Sequence, residues 1–573
     1  MTTSLVDAES ILVLDIGTLH TRALFFDVVD GQYRFLAAAS AATTAEAPFY
    51  DVREGVHAAV LQLQEVTGRV FMDLEARFIV PTQANGDGAD RLLVVSSVGP
   101  ELRIVTLGLL DEVSVESANR LATSICGRVV ESIGLNDRRK PEVQMDAVLR
   151  ASPDLILLAG GTERGATRSI GKLVELISLV CRVTPVEKRP QILFAGNQVL
   201  SRKIKEILEK QAPTQVAPNI RPSIDVEDLS PAQQVLGQMV MKIRENQIGG
   251  LQTLAATTNL PPISTSQAFG RMIRFLSHVY DPQKSVLGVD LGSAWTTLAV
   301  GQGGKLTLDV LPHGSGRGLG KALQHSRIEE IESWLSVHVP QDELRDYLYQ
   351  KSIFPHTIPT TNEALAIEQA MVRQILRLST MHLQAQLPGL NHSYEPIVIS
   401  GGFFSQLPLP GQAMLAALDG IQPVGIGIML RDTHGLLAAM GAIAPINSIL
   451  PVQVLESAFE NLGTVISPVS DSRYGTPILK VRLEIEQGEE FKLEVKQGAL
   501  VRLPLKAGQA ARIHLEPLNR TEVDPRRKNG GSFKIIGGLC GAVIDARGRE
   551  LHLPDDAPRR RDMHKKWLAT LTS

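Results

Sequence analysis

The chain has 573 residues, 44% of them apolar and 21% charged, with a formal net charge of −3. That length implies several domains with sizeable cores, and the near-neutral balance excludes a general nucleic-acid binder, which needs a domain-scale basic excess. Three cysteines (Cys126, Cys181 and Cys540) lie far apart without ligand spacing and are expected to be reduced and structural, as in a cytoplasmic protein. The 13 histidines form no H-x-x-x-H pair. Residues 1–10 carry Asp7 and Glu9 and no basic stretch, so no secretory signal is expected.

In chain order, the first motif is Ile11-Leu-Val-Leu-Asp15-Ile-Gly17-Thr18-Leu-His-Thr21-Arg22. An apolar run ends in Asp, turns at Gly, and re-enters apolar sequence, which predicts a β-hairpin. The same residues suit a phosphate tail. Glycine lets backbone N–H groups approach phosphate oxygens closely, and hydroxyls donate to them. The Asp can hold magnesium, usually through water, or orient an attacking water. Strand pairs and a helix account for the first ~90 residues. From residue 92 to about 222, strands are expected at 92–96, 103–107, 155–159 and 192–195, and helices at 115–133, 167–181 and 201–210. Such alternation means a doubly wound parallel sheet. Gly160-Gly161-Thr162 and Gly196-Asn197 fall at its strand ends, either as plain turn glycines or as a second ligand or partner site.

Pro261-Pro-Ile-Ser-Thr-Ser266 is read as a linker. The Asp-x-Gly pattern then recurs in Val286-Leu-Gly-Val-Asp290-Leu-Gly292-Ser293-Ala-Trp-Thr296-Thr297. Taken alone, either copy is equally a plain hairpin; together they suggest two facing clamps around one nucleotide. A third motif, Pro396-Ile-Val-Ile-Ser400-Gly401-Gly402, ends a buried-type strand and leaves room for a base or ribose. Helices are expected near 362–378 and 411–418; Glu363 and Glu368 on the first are read as a solvated face, with a catalytic carboxylate as the alternative. Residues 435–446 are too short an apolar stretch to span a bilayer and should form a buried helix. Beyond 452, alternating strands at 478–485, 490–495, 500–505, 510–515, 533–536 and 542–544 predict a compact all-β sandwich or barrel, read as an adaptor. Its basic clusters, Arg526-Arg527-Lys528 and Arg559-Arg560-Arg561, are balanced in part by Asp545, Asp555, Asp556 and Asp562 on a solvated surface.

The three motifs resemble the phosphate-1, phosphate-2 and adenosine elements of the actin, heat-shock-70 and sugar-kinase superfamily. The order of the 92–109 stretch, Gly160-Gly161-Thr162, Phe194-Ala-Gly196-Asn197 and Ala217-Pro-Asn-Ile-Arg-Pro222 is similar to the MutL-type glutamate (methylaspartate) mutase accessory family, over roughly residues 10–445. The resemblance implies an α/β, two-lobed actin-like ATPase fold: a first lobe at 1–284 with an α/β insertion at about 92–222, a second lobe at 285–450, and the β module at 455–573. It implies ATP or ADP with Mg, Asp15 and Asp290 serving as catalytic residues and holding the metal through water. Gly17, Thr18, Thr21, Arg22, Gly292, Ser293, Thr296, Thr297, Ser400, Gly401 and Gly402 would surround the nucleotide. The implied partner is a client enzyme, an adenosylcobalamin-dependent mutase, with no nucleic acid and no membrane span; the chain is not expected to be the mutase itself.

Departures from the family pattern bear on turnover. Thr21-Arg22 stands where Thr-Lys is common, keeping the charge but not the ammonium geometry. Trp295 looks inserted, Leu298 follows the two threonines where an acid is expected, and Gly316-Arg-Gly-Leu-Gly320 replaces an acidic stretch. Their loss argues for binding with weak Mg-dependent hydrolysis. A small-molecule kinase of the same fold and an actin-like scaffold are the alternative functions.

Overall fold

The computed structural model describes residues 9–572, apart from residues 164, 166–167, 259, 388, 390–391, 486–489 and 526–529. The Arg526-Arg527-Lys528 cluster lies outside the described residues. Contacts divide the chain into two units, Met1–Ala268 with Thr307–Leu311, and Phe269–Leu306 with Pro312–Ser573.

The first unit begins on its central strand. β1 (Ile11–Ile16) is buried along its whole length and pairs antiparallel with β2 (His20–Val29), which pairs with β3 (Gln32–Ala42). The two-residue turn between β2 and β3 is Asp30-Gly31, with φ of 51° and 74°, the doubly left-handed geometry that matches strand twist. The helix Val52–Thr67 follows, started by the Asp51 carboxylate on the Arg53 N–H and stopped at left-handed Gly68. β4 (Arg91–Ser96) returns parallel to β1.

β5 (Leu102–Leu107), β6 (Gly127–Ile133), β7 (Leu155–Leu158), β8 (Gln191–Phe194) and β9 (Thr214–Val216) form a separate, all-parallel sheet in the order β6-β5-β7-β8-β9. Helices Pro141–Ala151, Arg168–Val183 and Ser201–Leu208 bury one face; Glu116–Ala122 and Ser230–Gln247 bury the other. This is the doubly wound insertion that strand–helix alternation predicts. Three expectations change here. Strand 92–96 belongs to the β1 sheet rather than to the insertion. The expected helix at 115–133 is a short helix followed by β6, whose Val129-Val130 pair favours extended backbone. The expected linker contains β10 (Ile263–Ser264), which pairs parallel with β4 and completes the sheet β3-β2-β1-β4-β10.

The second unit repeats that scheme. β11 (Ser285–Leu291) pairs antiparallel with β12 (Thr296–Gln302), and the left-handed pair Gly303-Gly304 leads into β13 (Lys305–Leu311), which is in the same sheet although contacts group its residues Thr307–Leu311 with the first unit. β14 (Tyr394–Ser400) lies parallel to β11, and β15 (Gly425–Asp432) parallel to β14. Thus β12-β11-β14-β15 copies the order and strand directions of β2-β1-β4-β10. The buried helix expected at 435–446 is present as Leu436–Ile443, buried at every position. The fold is α/β with two sheets of matching strand order and a β-rich carboxyl-terminal region. No helix among the described residues is long and apolar enough to cross a membrane.

The β-rich region is β16 (Phe459–Ser467), β17 (Pro477–Ile485), β18 (Glu490–Lys496), β19 (Leu500–Leu503), β20 (Ala510–Pro517), β21 (Gly531–Ile536) and β22 (Ala542–Asp545). It is neither separate nor all-β. β16 pairs with β15, and β22 and β19 extend the same sheet, while β18-β17-β20-β21 packs over the extension as the second layer of a sandwich. The chain then ends in the helix Ala557–Thr572.

Asp545, expected on a solvated surface, is instead buried within a charge network. Arg547 donates to Asp419 at 2.7 Å and Asp545 at 2.8 Å, Arg549 to Asp545 at 2.9 Å, and Arg373 to Asp419 at 2.7 Å. Trp567 of the last helix lies 4.5 Å from the Arg547 guanidinium. Burial alone would raise the Asp545 carboxyl, but Arg547 and Arg549 hold it well below the usual carboxylate range. Arg547→Met, by leaving two buried carboxylates short of a partner, should lower the unfolding free energy in urea by about 3–5 kcal/mol. A folded pKa below the unfolded value of about 3.9 contributes stability above that pH, lost as pH falls towards the folded value. Acid titration of the parent should show that loss and Arg547→Met should flatten it; an unchanged urea midpoint would mean the network is dispensable.

Candidate functional site

The two Asp-x-Gly turns have one geometry. Gly17 N–H donates to the His20 carbonyl at 2.9 Å, and Gly292 N–H donates to the Trp295 carbonyl at 2.9 Å. Each closes a loop of equal length, so Trp295 occupies in the second turn the place that His20 has in the first. Strand register sets Asp15 opposite Arg22 and Asp290 opposite Thr297. Asp15 and Arg22 form an ion pair across the first hairpin. Asp290 and the turn residues Thr18, Gly292 and Ser293 are partly exposed.

Thr21 and Thr296 point inward instead. Both are 0% exposed. Thr21 Oγ1 lies 2.9 Å from Thr43 Oγ1, whose own proton goes to the Gly17 carbonyl at 2.8 Å. Thr296 Oγ1 donates to the His313 carbonyl at 2.6 Å. In both copies, then, this threonine ties the turn to the chain just beyond the third strand. The His313 ring is buried, which pushes its pKa down to about 4 and keeps it neutral near pH 7.

The segment 314–318 wraps the second turn. Gly316 and Gly318 N–H groups donate to the Ser293 carbonyl at 3.0 and 2.9 Å, and the Arg317 N–H to the Ser293 hydroxyl at 3.1 Å. A Cβ on Gly314 would stand 2.2 Å from the Ser293 carbonyl oxygen, and one on Gly318 2.2 Å from that of Ala294. These glycines therefore serve close backbone packing. Leu298 is a core residue opposite Val289, outside the turn.

The third motif lies beside the second. Register pairs Ser400 with Asp290. Gly401 has φ of 106°, and its Cβ would meet the Leu291 carbonyl oxygen at 2.2 Å, whereas Gly402 faces open space. Ser400 is buried, its hydroxyl on Asp432 at 3.1 Å. Asp432, which sequence reading missed, also accepts the Leu436 and Leu437 N–H groups at 2.8 and 3.1 Å, capping the helix Leu436–Ile443. The available signal was an Asp closing a buried strand four residues before an apolar helix.

Other candidates separate clearly. Glu363 is exposed as expected. Glu368 is not: it is buried, 2.7 Å from Lys351, and accepts from the Tyr347 hydroxyl at 3.0 Å. A carboxylate so matched is a structural ion pair. Arg559 is exposed, as the sequence predicted for its cluster. All three cysteines are free.

The family profile described as MutL protein matches residues 11–459, and the chain belongs to that family. Protein MutL of Clostridium tetanomorphum is 25% identical over 293 residues, covering 50% of this chain and 57% of the relative. The match thus spans little more than half of that protein. Among solved structures, nucleotide-free acetone carboxylase is similar at a TM-score of 0.33 and 11% identity, over 86% of this chain and 81% of that one. The diol dehydratase-reactivating factor in nucleotide-free form has a TM-score of 0.31 and 10% identity, over 76% and 99%. Component A of (R)-2-hydroxyglutaryl-CoA dehydratase from Acidaminococcus fermentans has a TM-score of 0.26 and 9% identity, over 76% and 95%.

The contrast between the paired glycines is testable. Gly401→Ala must force a side chain into the Leu291 carbonyl at a left-handed φ and should cost more than about 1 kcal/mol in urea unfolding. Gly402→Ala should cost about 0.5 kcal/mol or less, or stabilise the short helix it begins. Equal losses would mean that Gly401 does not set the approach of β14 to β11.

Proposed function

We propose that the chain is a nucleotide-binding accessory protein that takes up Mg-ATP or Mg-ADP and responds by changing its affinity for a client enzyme. The observation that carries this reading is the repeated turn: on each duplicated sheet a carboxylate stands at a strand end beside a glycine-closed loop with a half-exposed hydroxyl. Family membership supports it independently. Thr18 and Ser293, with the backbone N–H groups of the two loops and Arg22, would meet phosphate oxygens. Asp15 and Asp290 suit magnesium held through water, since hard cations take oxygen ligands. Ser400, Gly401 and Gly402 would face the nucleoside. Thr21 and Thr296 would hold the loops rather than the ligand. Bound magnesium would neutralise charge on the phosphates.

An adenosylcobalamin-dependent mutase is the client that the family suggests. The buried Lys351–Glu368 pair disfavours a kinase, which would need a free carboxylate to activate an acceptor hydroxyl.

Mg-ATP at about 100 times its dissociation constant should raise unfolding free energy by roughly 2.7 kcal/mol. Thermal melts and calorimetric titration check this, and no response to ATP or ADP would sink the reading. Asp15→Ala and Asp290→Ala should fold, because each lies next to the end of its strand and Arg22, the partner that Asp15→Ala leaves behind, is part-exposed, yet bind Mg-nucleotide at least about tenfold more weakly. Parent-like binding by both would make the turns ordinary hairpins.

Turnover should be slow, below about 1 s⁻¹, because positioning and charge stabilisation carry phosphoryl transfer and the 314–318 segment offers spent amides where relatives carry acids. Adding the mutase should change nucleotide affinity or rate, since coupling between sites is reciprocal. Brisk partner-free turnover that required a sugar or carboxylic acid would favour the kinase.

A further inference from the structure

The most family-like residues of the insertion meet at one place that the nucleotide reading leaves unused. Gly160-Gly161-Thr162 follows β7, Gly196-Asn197 follows β8, and Asn219 follows β9, all at the carboxyl edge of a parallel sheet. In chain order the sheet reads 2-1-3-4-5, an arrangement whose ligands sit beyond the carboxyl ends of the strands. The three loops touch. Asn197 N–H donates to the Gly160 carbonyl at 3.1 Å, and Asn219 Nδ2 donates to the Gly161 carbonyl at 3.0 Å and to Glu163 Oε1 at 2.8 Å.

Within this cluster several donors have nothing to bond. Asn197 is 0% exposed; its Oδ1 accepts the Val199 N–H at 3.0 Å, which fixes the amide orientation, and its Nδ2 has no partner. The Ser201 hydroxyl, one helical turn on, is also buried without a partner. Among the described residues, the Gly160, Gly161 and Thr162 N–H groups have no acceptor. Gly160 and Gly161 have φ of 136° and 75°, backbone that glycine adopts readily and that brings these loops close together. A buried amide donor left unbonded is costly, and native structures rarely retain one without a purpose.

We propose that this strand-end cluster binds the oxyanion group, carboxylate or phosphate, of a small molecule distinct from the nucleotide. Asn197 Nδ2, the Ser201 hydroxyl and the 160–162 amides donate to its oxygens. Glu163, already accepting from Asn219 and from the Gln198 N–H at 3.3 Å, stands beside it and keeps affinity modest. The donors are neutral, so binding depends on hydrogen-bond geometry rather than on net charge.

Full-length protein labelled with ¹⁵N-asparagine is titrated with sodium phosphate and, separately, sodium succinate at constant ionic strength. The Asn197 NH₂ resonances, assigned by their disappearance in Asn197→Asp, should shift and saturate with a dissociation constant of about 1–10 mM. Response to phosphate alone identifies a phosphoryl ligand; response to succinate alone identifies a carboxylic acid. Asn197→Asp keeps the oxygen that caps Val199 but replaces the free donor with an acceptor, and should weaken binding at least about tenfold, followed at ¹⁵N-glycine resonances. Ser201→Ala removes a hydroxyl without a partner, so melting should be unchanged while affinity falls about threefold. Asn197 resonances unmoved by both anions, or parent-like affinity in Ser201→Ala, would overturn the proposal.

Discussion

Everything at the two strand ends depends on one hydrogen bond made twice, from a glycine N–H to the carbonyl three residues on. Closed at that length, the loops at Gly17 and Gly292 fix the register of β1 against β2 and of β11 against β12. Register in turn decides which side chains face the core. β1 and β11 lie between strands on both sides, and a slip by one residue would exchange which side chains meet each of their two buried faces. The same register carries a carboxylate to the penultimate position of each strand, and it sends Thr21 and Thr296 inward to brace the loops.

One backbone scheme thus supports two different electrostatic environments. Across from Asp15 stands Arg22, so the first hairpin ends in an ion pair. Across from Asp290 stands Thr297, which offers no charge. The amides of 316–318, which could have supplied positive potential, are spent on Ser293. The difference follows from single residues on otherwise matching turns.

Sequence made legible what local chemistry specifies. Hairpins announced by Asp-x-Gly, strand–helix alternation in the insertion and the small-residue helix Leu436–Ile443 each follow from turn residues or apolar period alone. Features that need a distant partner stayed hidden. Glu368 is on a helix whose pattern reads as solvated, and Lys351 and Tyr347 from the preceding helix make its burial tolerable. β6 is an edge strand of mixed polarity, too short to outweigh the helical sequence before it. β10 has two residues, and β4 alone makes it a strand. The stretch around 314–318 reads only as missing acids, although Gly314 and Gly318 each answer a specific backbone contact.

The carboxyl-terminal region shows the same limit in its energetics. Ala542-Val-Ile-Asp545-Ala-Arg547 places charges inside an apolar strand, a pattern that makes sense only if the charges find partners when buried. Asp419 and Arg373 come from helices of the second unit, more than a hundred residues earlier, and Trp567 from the last helix covers Arg547. Such a network adds little net stability over an apolar core, but each member strands the others if it is absent. The β-rich region is consequently bound into the repeat whose sheet it extends, and it cannot act as a detachable adaptor. Its outer sheet presents Lys480, Arg482, Glu494 and Lys496 in alternation with buried apolar positions.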